Sequence, residues 1–230
     1  MKIILYLLIL LSTPALANSP LPDCTLESEQ LLKRDGYTLC YDYQTKNAAW
    51  TFYEAGPEKS AAVASRQNDF RADVEIPEER RATLNDYEGS GYDRGHLVPA
   101  RDMAYSVKTL SESFLLSNMT PQEPGFNRGV WSRVEARVRE FSKDRTIYVY
   151  TGPAYMDFLG RIGRGVAVPT HFYKIVYSPE EEAAIAILIP NEKTNKNYRS
   201  FRCSVDRVEE YTGIDFLAFL EDDIEMEVER

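Results

Sequence analysis

The sequence predicts an α+β fold, a central antiparallel sheet with flanking helices, on three observations. Residues 37–54 alternate apolar and polar side chains around a turn at Gln44 to Asn47, which reads as a hairpin. His171 to Tyr177 and Ala183 to Ile189 are strand-like runs flanking Ser178-Pro179-Glu180-Glu181-Glu182, a second hairpin connection. Between them, Val130, Trp131, Val134, Val138 and Phe141 fall within one arc about 100° wide when residues advance by about 100° each, the stripe of an amphipathic helix.

The remaining elements follow in chain order. Residues 55–90 are polar and broken by Gly56-Pro57, Pro77 and Gly89, so they are expected to be mostly loop. A helix is expected over Ser106 to Leu116 and a second over Arg128 to Phe141. Thr146 to Tyr150 and Val166 to Val168 are short apolar runs with strand character. On an unbroken helical period Asn127, just ahead of the second helix, projects to the middle of the apolar stripe. An amide aimed inward needs a partner; a bound cation would serve, and so would a role as helix cap. Glu135 and Arg139 flank the buried face, about 80° and 120° from its centre.

At 230 residues the chain is long enough for one sizeable core. Lys2, the apolar run Ile3 to Leu11 and Ala15-Leu16-Ala17 form the three parts of a cleavable export signal, residues 1–17. The apolar run is shorter than the roughly 20 residues that span a bilayer, and no later segment is long and apolar enough. The expectation is a secreted or periplasmic product, residues 18–230, forming a single domain without stable membrane association. Export permits disulfides, and Cys24, Cys40 and Cys203 allow one internal bridge in any of three pairings. No CxxC or Cys/His cluster points to structural zinc.

The net charge of −9 excludes a strongly basic nucleic-acid storage protein. Its distribution matters more. Ten acidic residues against two basic ones lie between Asp206 and Arg230, whereas Gly91 to Arg145 holds nine basic against seven acidic. The acidic C-terminus reads first as a solvated tail, with repulsion of polymer from one face and a brake on the basic surface as the competing readings.

Chemistry concentrates in Gly89-Ser90-Gly91-Tyr92-Asp93-Arg94-Gly95-His96 and in Pro99 and Arg101 beyond it. Glycines permit close backbone approach, Arg suits phosphate, and His accepts a proton near neutral pH. Only two histidines exist, so a histidine base is His96 or His171, and the apolar strand around His171 suits a structural imidazole. Taken alone, one His beside one Arg is a weak pattern.

The run Tyr92-Asp93-Arg94-Gly95-His96 resembles the DRGH signature of the DNA/RNA non-specific endonucleases, the ββα-metal (His-Me finger) group that includes Serratia nuclease and mitochondrial endonuclease G. Leu116-Ser117-Asn118-Met119-Thr120-Pro121-Gln122, Phe126-Asn127-Arg128-Gly129-Val130-Trp131 and Glu135 follow in the family's order. Tyr150-Thr151-Gly152-Pro153 and Val166 to Lys174 are similar to the endonuclease G branch. The likeness spans roughly residues 37–210.

The resemblance implies a ββα-metal fold and hydrolysis of DNA and RNA with little sequence preference. It implies His96 as the base that deprotonates water and Asn127 as the one direct protein ligand of hydrated Mg²⁺ (or Mn²⁺), an ion that keeps most of its waters. Glu135 would hold a metal-bound water, and Asn118 would position the metal site or substrate unless it is a plain structural amide. Arg94, Arg139 and, in a stretch of variable length, Arg66 would lie near phosphate, although Arg139 could instead pair with Glu135 four residues earlier. Asp93 is read as tethering the loop, Phe126 and Trp131 as core, and Gly125 and Gly129 as admitting the phosphate. A homodimer fits the family without an interface being marked in the sequence. The alternative is a catalytically weak nucleic-acid-binding module; against it, His96, Asn127 and Glu135 are all retained.

Overall fold

The computed structural model describes residues 19–157 and 159–229; the expected export signal at 1–17 lies outside them. Along the chain come β1 (Glu29–Lys33), β2 (Thr38–Asp42), β3 (Asn47–Ala55), α1 (Leu84–Tyr87), β4 (Asp93–His96), α2 (Val107–Glu112), β5 (Met119–Gln122), α3 (Ser132–Phe141), β6 (Ile147–Ala154), β7 (Arg161–Ile162), β8 (Val166–Ala167), β9 (His171–Ser178), β10 (Ala183–Pro190), β11 (Arg202–Cys203), α4 (Val205–Thr212) and α5 (Asp222–Val228). The main sheet among the described residues runs β1-β2-β3-β6-β9-β10-β11, with every neighbouring pair antiparallel. The expected hairpins are β2–β3 and β9–β10.

Alternation along β9 explains how the sheet gains a core on each face. Phe172 packs with Trp131, Val134 and Val138 on one side, together with Ile187 and Ile189 of β10. Tyr173, Ile175 and Tyr177 point the other way, against Val205, Val208 and Phe216. A strand covered on both faces loses the clean polar alternation and reads as a nearly continuous apolar run, which is the pattern of Phe172 to Tyr177. Each large side chain fully removed from water contributes on the order of 1.5–3 kcal/mol.

The structure departs from expectation at four places. β1 is an additional edge strand, and β4 and β5 form their own two-stranded ladder, Asp93↔Gln122 to His96↔Met119. The helix expected to reach Leu116 stops after Glu112: Ser106 caps its start by accepting from Thr109 N, and the Ser113 hydroxyl donates to Leu110 O at its end. The helix expected from Arg128 begins regularly at Ser132, because residues 126–131 form a wide π-type turn with Gly129 at φ −103°, ψ −105°. Finally, the acidic tail is folded. Val228 packs on the core beneath α4, and Val205 N donates to Glu229 O at 2.7 Å.

The bridge that forms joins Cys24 to Cys40, with Cα atoms 5.7 Å apart, and leaves Cys203 free. It ties the segment ahead of β1 to β2. No helix among the described residues is long and apolar enough to cross a membrane.

Tail docking carries a pH signature. Burial pushes Glu229 up to about 8, with Glu209, Glu225, Asp206 and Asp215 adding repulsion. Because this folded value lies above the ordinary 4.5, the tail's stability is complete below the ordinary value and is lost as pH rises through about 8. Hydrogen-exchange protection of Val205 N–H should therefore fall as pH rises from about 4.5 to about 8, and Glu229→Gln should flatten that fall. Protection that increases with pH would contradict this account.

Candidate active site

Two short strands and the turn before α3 bring the motif residues together. Within the β4–β5 ladder Gly95 lies against Gln122 so closely that a Cβ would sit 2.1 Å from the Gln122 side chain. The ladder therefore demands glycine between the arginine and the histidine of the motif. Upstream, Gly89 and Gly91 take positive φ (67° and 82°) and bring the chain round into β4.

His96 leaves β4 with its ring wedged against two phenyl groups, 5.1 Å from Phe114 and 5.7 Å from Phe70, which meet each other edge to face at 5.0 Å. The same rings carry guanidinium groups: Arg94 lies 4.6 Å over Phe70 and Arg66 lies 5.3 Å over Phe114. Burial, reinforced by the Arg66 charge, holds the His96 imidazole down at about 3. It is neutral at physiological pH and so available as a proton acceptor.

Across the cavity, the Asp93 carboxylate accepts from Asn127 Nδ2 at 2.9 Å and from Arg128 Nε and Nη2 at 2.8 and 2.5 Å. Asp93 is thus the tether expected, and what it tethers is the metal-ligand candidate. With its NH₂ engaged, the Asn127 amide has only Oδ1 left to offer, and that oxygen accepts nothing from the described side chains. The inward projection expected of Asn127 is wrong, because the wide turn breaks the 100° period; the side chain is half-buried and lines the cavity. It is not a helix cap either, since the turn begins at Gly125 without side-chain capping.

His96, Arg94, Asn127, Glu135, Arg66 and Arg139 all line one cavity of about 480 Å³. Asn118 does not. It is fully buried, with Nδ2 donating to Val98 O (3.0 Å) and Ser113 O (2.9 Å) and Oδ1 accepting from Val98 N (2.9 Å). Asn118 therefore does not meet metal or substrate in the cavity: its side-chain bonds all go to backbone, at Ser113 and at Val98 two residues beyond His96, so what it positions is the histidine segment. Phe126 and Trp131 are core, both fully buried against Phe172. His171 starts β9, away from the cavity, as expected of a structural residue.

Beneath the cavity lies a charged group that the motifs left unmarked. Arg139 Nη1 donates to Asp102 Oδ1 at 2.9 Å instead of pairing with Glu135, and Tyr53 Oη donates to Asp102 Oδ2 at 2.6 Å. Lys174 is buried in β9, donates to Thr151 Oγ1 and lies 5.0 Å over the Trp131 ring. Burial raises the Glu135 carboxyl, opposed first by Lys174; burial likewise lowers Lys174, opposed by Glu135 and Asp102. A lysine at the centre of His171-Phe172-Tyr173-Lys174-Ile175-Val176-Tyr177 was the available sequence signal: a buried charge in a strand requires an acidic neighbour.

The donor set fits a hard divalent cation. An amide oxygen oriented by Asp93 and a carboxylate in the same cavity are oxygen ligands, and few of them suit an ion that retains water. The arginines around them suit a phosphate brought to that ion.

Substitution separates the two asparagines. Asn118→Ala should cost about 2–4 kcal/mol in chemical denaturation, since it removes three buried hydrogen bonds and strands their backbone partners. Asn127→Ala should cost about 1 kcal/mol or less, as one partly exposed bond is lost. An Asn118→Ala protein as stable as wild type but without turnover would restore that residue to the site.

Comparison with known proteins agrees with the geometry. The family described as DNA/RNA non-specific endonuclease matches residues 22–223. The chain is 35% identical over 213 residues to a nuclease of Syncephalastrum racemosum, covering 81% of this chain and 67% of that protein. Against a nuclease of Nostoc sp. (strain PCC 7120) it is 33% identical over 214 residues, 86% of this chain and 77% of the relative. Mitochondrial endonuclease G of Homo sapiens is 32% identical over 206 residues, 82% and 69% of the two chains. The fold is similar to one in the crystal structure of an EndoG/EndoGI complex, with TM-score 0.80 and 31% identity, covering 86% of this chain and 89% of the other.

Proposed function

The chain belongs to the DNA/RNA non-specific endonuclease family and is a nuclease, and from that premise we propose that it hydrolyses phosphodiester bonds of both DNA and RNA with His96 as base and Asn127 as ligand of a divalent cation, Mg²⁺ or Mn²⁺. The observation that carries this reading is the convergence of His96, Asn127 and Glu135 on one arginine-lined cavity.

The residues divide the work. Arg94, Arg66 and Arg139 draw the phosphate in and offset its charge. Neutral His96, fixed by Phe70 and Phe114, takes a proton from water as that water's oxygen bonds to phosphorus. The bond to the 3′ oxygen breaks, leaving 5′-phosphate ends. A phosphate docked nearby offsets the Arg66 charge that helps hold His96 low, so the imidazole becomes a stronger base once substrate is in place. Asp93 keeps the Asn127 oxygen turned to the cavity, where that oxygen would hold the cation, and the Glu135 carboxylate would orient the water accompanying it. When bound, the cation supplies Lewis-acid stabilisation of charge gathering at the phosphate. Lys174 and Arg139 oppose the burial that raises the Glu135 carboxyl.

Low base discrimination follows from contacts made to phosphate and sugar, which carry no sequence information. Purified protein with Mg²⁺ should degrade both polymers, and a chelator should stop it. His96→Ala should lower kcat by about 10²–10⁴-fold, and Asn127→Ala should abolish the response to added cation. Turnover unchanged in both variants would dismiss these roles.

Export is part of the same proposal. It is supported by the leader-like first seventeen residues and by the Cys24–Cys40 bridge, since disulfides persist in oxidising compartments. Intact-mass measurement on an extracytoplasmic fraction should find a chain beginning at Asn18. An unprocessed chain confined to the cytosol would refute it.

A further inference from the structure

A second cavity opens beside the first. It has about 490 Å³, close to the active-site cavity's volume, and the two share Arg101 and Arg139 as a common wall. Beyond that wall it presents Lys59 and Lys143. Its acids are Asp102, already bonded to Arg139 and Tyr53, and Glu140.

The chemistry of this space is selective. Arg101 is exposed and makes no ion pair or side-chain hydrogen bond among the described residues, so its guanidinium is free for an anion. Lys59 pairs with Glu54 at 2.9 Å and Lys143 with Glu140 at 2.7 Å, both in partly to well-exposed positions. Exposed pairs of this kind are worth about 0–1 kcal/mol, so either lysine can exchange its carboxylate for a phosphate at little cost. Ala55, Gly56, Ala62 and Ala136 keep the space open. No aromatic side chain lines it, so it has no platform on which a base could stack. Cations without a stacking surface recognise the backbone of a strand and ignore its bases.

We propose that this second cavity is a substrate subsite, holding the phosphates that neighbour the scissile one through Lys59 and Lys143, with Arg101 and Arg139 bridging the two cavities. The inference rests on the nuclease reading and deepens it: the enzyme is built for polymers, and its turnover grows with strand length. The track also explains how a protein of net charge −9 engages a polyanion. Cations line a continuous trough, while the acidic residues of α4 and α5 lie on the opposite face of the sheet.

The test compares a Lys59→Ala/Lys143→Ala double variant with wild type on single strands of two and ten nucleotides. The ratio of kcat/KM for the longer strand to that for the shorter should fall about tenfold in the variant; an unchanged ratio would overturn the subsite. A second readout needs no cleavage. Fluorescence anisotropy of a labelled ten-nucleotide strand, without divalent cation, should show Kd rising about tenfold at low salt. The slope of log Kd against log salt should drop by about 1.4, since each of the two lost phosphate contacts on a single strand removes about 0.7. Equal affinity and equal slope in the two proteins would also refute the proposal. A wild-type protein that binds with the expected slope yet cuts neither strand would count against the nuclease mechanism while leaving the subsite standing. Both lysines belong to exposed surface pairs, and Lys143→Glu, which reverses the charge, should deepen each effect.

Discussion

The site depends on one carboxylate. Asp93 sits at the start of β4 and bonds to two consecutive residues of the turn preceding α3, Asn127 and Arg128. These segments are more than thirty residues apart in sequence, and the Asp93 bonds fix how the histidine strand faces the turn that carries Asn127. The partly exposed hydrogen bond from Asn127 contributes about 1 kcal/mol, and the pair with the exposed Arg128 about 0–1 kcal/mol. The larger effect is orientation. A free amide would present NH₂ or oxygen to the cavity with similar ease, whereas the carboxylate accepts only from NH₂ and so selects the oxygen.

A second constraint is electrostatic. Two acids, Glu135 and Asp102, and two cations, Lys174 and Arg139, share the ground beneath the cavity with a tyrosine hydroxyl. Removing one member of such a buried set leaves an uncompensated charge, which commonly costs about 3–5 kcal/mol. The set therefore behaves as a unit that pre-organises the field in the cavity. On the far side of the sheet, like charges crowd around Glu229.

How much of this could be read from the sequence depends on how local each cause is. The β2–β3 and β9–β10 hairpins were readable, since alternation and turn residues are local signals, and the DRGH-like run located His96. The strands Asp93–His96 and Met119–Gln122 were not readable as strands: four residues each, with glycine and proline inside them, carry no usable period. Asn127 was misdirected because a fixed 100° step assumes a regular helix, and the wide turn at Gly129 breaks it. Asn118 looked catalytic by its motif, yet its role depends on Val98 and Ser113 lying within hydrogen-bond reach, which only the fold decides. Lys174 stands out as a charge in an apolar strand, but its acidic partners, like the contacts of Phe70 and Phe114, come from distant segments, and spacing in one chain does not encode such contacts.

The polar groups without a protein partner show where the fold gives up stability for the site. His96 Nε2, Thr120 Oγ1 and both polar atoms of the Gln122 amide are buried in or beside the β4–β5 ladder without a bond among the described residues. Burying a polar group unpaired costs on the order of 1–3 kcal/mol, so a ladder of four residue pairs could not bear several such groups on its own. It is borne by the seven-stranded sheet with its two cores and by the aromatic clamp of Phe70 and Phe114. That clamp fixes the histidine by packing alone and needs no hydrogen bond to Nε2. Packing of this kind places the ring without raising its basicity, and the imidazole stays neutral until an anion approaches. The same contacts that make the finger expensive to fold therefore hold its imidazole neutral.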